Sequence, residues 1–159
     1  MTSSTNALIR RAQLSAAQRA SCRAMSFTIR SSRLLKVQAG LRNPELARLL
    51  KMHNASTAAV VTACNPLGRK APATQNKTRD AALAAAIKKL KLAALPAQRR
   101  ASDNGDASDP AYLVLNISGA QAEALLIQFD QHALLWCNQS GAPELMLHPL
   151  VRQREPEAL

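Results

Sequence analysis

The most constraining feature of the sequence is a short apolar segment that ends abruptly in polar residues. Thr57–Val61 is rich in β-branched residues, which predicts a buried strand. It continues into Thr62-Ala63-Cys64-Asn65-Pro66, where the proline cannot donate to a strand ladder and biases Asn65 away from helix. Because α/β proteins place ligand-contacting groups where buried strands end, the sequence predicts a polar pocket at the end of the 57–63 strand.

Apolar periodicity on both sides of this strand predicts a single small domain. The predicted strands are residues 25–31, 34–39, 57–61, 112–117, 133–137 and 144–148, and the predicted helices begin near residues 44, 78 and 119. Residues 97–110 are predicted to be a polar loop. The order ββαβαβαββ indicates an α/β fold, with α+β as the open alternative, in which helices pack on a mixed sheet.

The predicted domain spans residues 25–150. Residues 1–24 contain four arginines, no acid and little apolar periodicity, which favours a basic flexible arm. An organelle transit peptide and a phosphate-contacting arm are the open alternatives for this segment. Residues 151–159 are predicted to be a loose tail.

The net charge of +11 is unevenly spread along the chain. Residues 1–101 hold 19 Lys and Arg against two acids, whereas residues 102–159 hold two arginines against eight acids. A basic N-terminal two-thirds suggests an anionic partner such as nucleic acid, and a solvated surface is the competing interpretation. The candidate phosphate contacts are Arg69, Lys70, Arg79, Arg99 and Arg100.

Cysteine and histidine usage gives no indication of a metal or cofactor. Cys22, Cys64 and Cys137 form no CxxC pair, and no histidine has a partner at ligand spacing. No secretory signal and no apolar run of about 18 residues occurs, so the sequence predicts a cytoplasmic protein that does not contact membrane. We therefore expect free thiols, no metal and no cofactor.

Several spaced signatures then coincide. In chain order they are Thr62-Ala63-Cys64-Asn65-Pro66, Asn76 ahead of a helix, Asp109-Pro110 ahead of the strand Tyr112–Leu115, the segment Phe129–Trp136, and Pro143-Glu144-Leu145. Together they resemble the bacterial family called domain of unknown function 3293 (DUF3293), whose pattern has a T-A-x-N-P motif and an F-G-Q-x-A-[IV]-x-W segment. The resemblance covers about residues 26–148 and implies a fold, but no activity.

Three positions depart from the pattern of that family. Cys64 stands where Trp is usual, Asp130 where Gly is usual, and Asp109 where Glu is usual. Cys64 is therefore a poor candidate for a nucleophile, and position 109 keeps a carboxylate on a shorter side chain.

The motifs single out five candidate ligand-binding residues, Thr62, Asn65, Asn76, Asp109 and Gln131. The amides of Asn65 and Gln131 suit a planar polar group such as a base or an amide, and Asp109 suits a cation or a proton. Turn chemistry is the competing interpretation, because Asn-Pro and Asp-Pro segments build turns without any ligand.

One geometric condition separates a shared site from scattered residues. Thr62 and Asn65 follow their strand, whereas Asp109 and Gln131 precede theirs. These side chains converge only if the later strands run antiparallel to Thr57–Val61, or if their loops fold over the edge.

Three functional hypotheses remain at this point. The first is a binding or accessory domain for a small polar ligand at the end of the 57–63 strand. The second is a nucleic-acid-associated protein that uses loop 67–79, residues 97–100 and the arm. The third, a small hydrolase, lacks a complete catalytic constellation, so the sequence favours a protein that is not an enzyme.

Overall fold

The computed structural model describes residues 22, 26–66, 70–100, 108–149 and 151. Within these residues the strands are β1 (Ser26–Arg30), β2 (Leu34–Gln38), β3 (Thr57–Val61), β4 (Ala94–Arg100), β5 (Ser108–Leu115), β6 (Ala133–Asn138) and β7 (Glu144–Leu147). The helices are α1 (Pro44–Met52), α2 (Ala73–Lys89) and α3 (Gly119–Gln128).

The strands form one seven-stranded sheet in the order β2-β1-β4-β5-β3-β6-β7. All six pairings between neighbouring strands are antiparallel. The strand β3 lies between β5 and β6, with Val61 opposite Tyr112 and Val60 opposite Leu135. The predicted class is confirmed in its α+β form, and the sheet is antiparallel instead of mixed.

Helices cover both faces of the sheet, but unequally. On one face α1 packs Leu46, Leu49 and Leu50 into a core that reaches all the way to β1 and β2. On the other face α2 and α3 pack against β3, β5 and β6, and that apolar cluster includes no residue of β1 or β2 among those described. Within the described ranges, the apolar cover on this face therefore ends before β1 and β2.

Local signals placed two of the helices accurately. The Asn43 side chain accepts hydrogen bonds from the backbone N–H groups of Glu45 (3.0 Å) and Leu46 (3.2 Å), which satisfies donors that have no partner inside α1. Ser118 and Gln121 form the predicted capping box at the start of α3. Both helix starts are confirmed.

The strand β4 corrects the prediction of a polar loop over residues 97–110. Its sequence, ALPAQRR, carries a proline and no β-branched residue, so it has little strand signal of its own. The pairing with β1 covers Ala97–Arg100 and ends before Pro96, so the missing proline N–H costs no bond to that neighbour. Pairing on both sides overrides the weak local preference.

The helix α2 begins at Ala73, five residues before the predicted start at Thr78. Pro72 occupies the cap position, and no side chain caps this end of the helix. A prediction that begins the helix at a polar capping residue therefore places the start of α2 too far along the chain. As a result Asn76 lies in the first turn of α2 and not in the preceding loop.

The predicted arm and tail lie outside the described residues, apart from Cys22 and Val151, which are buried against Ala133. The proposed boundaries of the domain stay a prediction. No helix in the described ranges has the length and hydropathy needed to cross a membrane.

Candidate functional site

The antiparallel sheet meets the condition for a shared site. Because β5 and β6 both run opposite to β3, the end of β3 and the starts of the other two strands lie at the same edge of the sheet. We call the side chains that meet there the rim: Thr62, Asn65, Asn76, Arg99, Asp109 and Gln131. Five of the six are the predicted ligand-binding residues, and Arg99 is a predicted phosphate contact.

Asn65 is the centre of the rim. Its Oδ1 accepts hydrogen bonds from the Ala71 N–H (3.0 Å) and from Asn76 Nδ2 (2.9 Å). Its own N–H donates to Asn76 Oδ1 (2.9 Å), and its Nδ2 donates to Asp109 Oδ2 (3.2 Å). The backbone φ of Asn65 is +53°, a left-handed conformation that asparagine tolerates better than other non-glycine residues. One asparagine thus connects β3, α2 and β5.

Asp109 and Arg99 form a cross-strand ion pair. They are direct partners in the register of β4 and β5, and Arg99 donates to Asp109 Oδ2 through a terminal nitrogen (2.9 Å) and through Nε (3.3 Å). The side chains are 16% and 27% exposed, so solvent reaches the pair. Arg99 also donates to the Cys64 carbonyl (3.2 Å). The strand that sequence patterns missed therefore supplies the partner of Asp109.

The side chains of Gln131 and Thr62 form hydrogen bonds with backbone groups next to the rim. Gln131 is 5% exposed, and its Nε2 donates to the carbonyls of Cys64 (3.2 Å) and Phe129 (3.1 Å). Thr62 Oγ1 donates to the Pro110 carbonyl (2.8 Å) and accepts from the Cys64 N–H (3.3 Å). Both side chains satisfy backbone groups where strands end, as the turn interpretation expects.

The predicted phosphate contacts differ in their surroundings. Arg79 donates to the carbonyls of Ala63 (2.6 Å) and Phe129, and it lies 4.0 Å from the Asp130 carboxylate. Arg99 is paired as described above. Lys70 is exposed. Arg69 and the side chain of Arg100 lie outside the described part of the chain. Two of these cations thus serve internal contacts.

Cys64 has the environment of a structural thiol. Its side chain is fully buried, and its Sγ lies 4.0 Å from the Asn76 carbonyl. Burial raises the pKa of the thiol, and the Thr62 hydroxyl lowers it by a smaller amount. Because the thiolate is the nucleophile, a raised pKa disfavours covalent catalysis at this residue.

Tyr112 and Asp80 form a contact that sequence patterns did not indicate. Tyr112, on β5, donates its hydroxyl to Asp80 Oδ2 (3.2 Å) on α2. Burial and the neighbouring Asp80 carboxylate raise the pKa of Tyr112 to about 12. Asp80 Oδ1 is buried and has no hydrogen-bond partner among the described residues. The hydroxyl therefore stays protonated and fixes the ring against α2.

His132 and His148 are two buried residues that lie next to the rim and are joined by a backbone hydrogen bond. The His148 N–H donates to the His132 carbonyl (2.8 Å), and both rings are almost fully buried. Burial lowers the pKa of both rings, with a further lowering of His132 by His148. Within the described ranges, no three His, Cys, Asp or Glu residues are grouped so that they could hold a metal ion.

In the part of the chain that the structure describes, two cavities lie near these residues. One, of about 10 Å³, lies between Thr62, Gln131 and the core, and it is at the lower limit for a single water. The other, of about 350 Å³, is an open groove on the sheet beyond the helices, lined in part by Arg30, Pro96 and Tyr112. The space for a larger ligand therefore lies beside the rim and not inside it.

Comparison with known proteins gives one match, to a family. Neither the curated proteins nor the solved structures contain a match to this chain. The matched segment includes all six rim residues, and it ends within β6. The model of the family "Protein of unknown function (DUF3293)" matches residues 61–134, a little under half of the chain, and this supports the resemblance that the sequence motifs indicated.

Proposed function

We propose that this domain is a binding or accessory module that receives a small polar ligand at the rim. The observation that carries the proposal is the carboxylate of Asp109. All three of its hydrogen bonds to described residues use Oδ2, from Asn65 and Arg99. The other oxygen, Oδ1, is thus oriented by a fixed network while solvent reaches the side chain.

The chemistry of that carboxylate defines the ligand class. An ionised aspartate only accepts hydrogen bonds, so its partner must carry N–H or O–H donors. The Lys70 ammonium is exposed on the segment that follows Asn65, and Ala71 N–H is already bound to Asn65. A small amide, amine or guanidine fits this arrangement best. An amide or a guanidine donates to a carboxylate through N–H groups that lie in one plane, and an amine donates from a single nitrogen.

The competing hypotheses receive less support. Contacts to nucleic acid through residues 67–79 and 97–100 would need Arg79 and Arg99 to release protein acceptors. A hydrolase built on Cys64 would need a thiolate, which its burial disfavours. We therefore retain binding at the rim as the proposed function.

Thermal unfolding of the full chain with small donors tests the proposal. The probes are nicotinamide, free glutamine, free arginine and putrescine, each at millimolar concentration. At least one is expected to raise the melting temperature by about 2 °C or more, through preferential binding to the folded state. Asp109→Asn, which keeps the size of the side chain and removes its charge, is expected to abolish that shift.

Asp130→Asn is the matched control, because Asp130 is a solvent-exposed acid that also faces an arginine. It is expected to keep the full response to the probe. The proposal fails if none of the four compounds changes the melting temperature, or if Asp109→Asn and the native chain respond equally.

A further inference from the structure

The half of the sheet that α2 and α3 leave uncovered forms a groove. It has a volume of about 350 Å³, near the lower end of the range for small-molecule sites. Four strands contribute to it, and its lining residues are Thr28, Arg30, Leu34, Pro96, Ala97, Gln98, Pro110, Ala111 and Tyr112. The rim side chain Asp109 is not among them, so the groove is a separate surface.

Strand register explains why these side chains, apart from those of the core residues Ala97 and Ala111, face the same way. Residues directly opposite one another in antiparallel strands share a face. Tyr112 is opposite Pro96, and Arg30 is opposite Leu34, which gives a row that is mostly apolar. The neighbouring row is mostly polar and consists of Lys36, Thr28, Gln98 and the apolar Pro110. An apolar row beside a polar row suits a ligand with one face of each kind.

Charge differs between the two ends of the groove. At the β1–β2 end Arg30 and its neighbour Lys36, which lies outside the lining, are exposed, and the described positions of β1, β2, β4 and β5 on this face include no acid. Asp109 alternates onto the opposite face, where it meets Arg99. At the β5 end the acid Asp80, from α2, holds the Tyr112 hydroxyl. A ligand with an anionic group would place that group at the β1–β2 end.

The groove also offers surface that the protein itself does not bury. Leu34 is 67% exposed, and Pro96, Gln98 and Pro110 are exposed. Tyr112 is half-buried and its ring is held by Asp80, so its orientation is set before any ligand binds. A ring fixed in advance loses little conformational freedom when another ring packs against it.

We propose that this groove binds a nucleotide unit, with the base over Tyr112 and Pro96 and the phosphate at Arg30 and Lys36. The unit belongs to a free mononucleotide or to a single strand, since both present the same base and phosphate. A duplex keeps its bases stacked inside, so it would offer this surface phosphates alone. The inference does not depend on the ligand proposed for the rim.

Fluorescence anisotropy with the full chain and a short labelled oligoadenylate tests the proposal, with AMP as competitor. Arg30→Ala is expected to weaken binding by about fivefold or more through loss of a phosphate contact. Tyr112→Leu is expected to weaken it by a similar factor through loss of stacking, whereas Tyr112→Phe keeps the ring and most of the affinity. Arg30 is exposed, so its variant tests the proposal even if Tyr112→Leu unfolds.

Arg48→Ala is the matched control, because Arg48 is an exposed arginine on α1, which covers the opposite face of the sheet. It is expected to bind as the native chain does. An equal loss of affinity in Arg30→Ala and Arg48→Ala would overturn the proposal, because it would show attraction by overall charge alone.

The remaining arms identify the source of the nucleotide. Displacement by AMP, with no effect of Lys36→Ala, supports a free mononucleotide. Binding of the strand alone, weakened by Lys36→Ala, supports a unit within a single strand. Absence of binding at low salt, or tighter binding to a duplex or to anionic lipid vesicles than to the oligoadenylate, would overturn the proposal.

Discussion

The rim and the groove contain similar side chains, but they use them in opposite ways. At the rim, the amides of Asn65, Asn76 and Gln131 donate to protein acceptors. In the groove, Gln98 and Arg30 are exposed, and the cavity lies against them. The rim therefore holds the fold around one oriented carboxylate, whereas the groove presents polar groups to whatever enters it.

This difference shows that polar residues in a sequence motif and polar residues in a cavity can have different roles. The residues with the strongest sequence signature build a network that connects β3, α2 and β5. Of the residues that line the groove, only Pro110 and Tyr112 belong to a sequence motif. We therefore expect variants of the rim amides to change stability and variants of the groove to change binding.

The largest expected effect on stability is that of Asn65→Ala. The change removes three side-chain hydrogen bonds, at about 1 kcal/mol each, and leaves alanine at positive φ, at about 1 kcal/mol more. We expect a loss of about 3–4 kcal/mol in the free energy of unfolding, measured by urea titration.

Asn54→Ala isolates the backbone part of that effect. Asn54 has φ +52°, close to the value at Asn65, and is exposed. We expect a loss of about 1 kcal/mol from the conformation alone. Equal losses in the two variants would show that the hydrogen-bond network at the rim contributes no stability.

A smaller effect is expected for Gln131→Ala. Both carbonyls that its amide contacts also accept from arginines, Cys64 from Arg99 and Phe129 from Arg79, so neither is left without a donor. We expect a loss of about 1–2 kcal/mol, measured in the same way. The exposed Gln139→Ala is the control and should stay within about 0.5 kcal/mol of the native chain. A Gln131 variant as stable as this control would remove Gln131 from the network.

Acid is expected to destabilise the rim side of the molecule. Burial lowers the pKa of His132 and His148 in the folded state, so below about pH 6.5 the unfolded chain binds more protons than the folded one. Stability is then fully present above that pH and falls as pH decreases, by at most about 1.4 kcal/mol per pH unit for each histidine.

Urea titrations at about pH 7 and about pH 5 measure this dependence. His132→Gln and His148→Gln are each expected to flatten it, whereas His53→Gln, at an exposed position, is not. A pH dependence that survives the double substitution would contradict the assignment to these two rings.

The smallest expected effect on stability is in the groove. Arg30→Ala and Gln98→Ala remove side chains that are exposed, so each is expected to change the free energy of unfolding by less than about 0.5 kcal/mol. Chemical denaturation measures this directly. A loss above about 1 kcal/mol in Arg30→Ala would show that the groove, like the rim, is structural.

Much of the fold follows from local patterns. Alternation predicts β1 and β2, the buried run predicts β3, and Asn43 and Ser118 mark the starts of α1 and α3. The capping signals are accurate because a cap satisfies backbone donors within three residues of itself. The sequence patterns fail at β4, whose composition is unfavourable and whose strand state comes from its two neighbours.

The rim shows the same division. The sequence motifs identify five of the rim residues, and the order of the strands along the chain predicts that they converge if β5 and β6 oppose β3. The sequence does not identify Arg99 as the partner of Asp109, because that pairing depends on the register of a strand that local patterns do not show. That these residues bind a ligand stays a prediction.

The sequence alone determined the residue types, the starts of α1 and α3, most strands and the resemblance to a family. The tertiary structure decided the directions of the strands, the position of β4 and the uncovered face that forms the groove. The physical reason is the separation along the chain of the residues that interact. Caps and alternation act between residues a few positions apart, whereas strand order and helix coverage depend on contacts between distant segments, such as those that set Val61 opposite Tyr112.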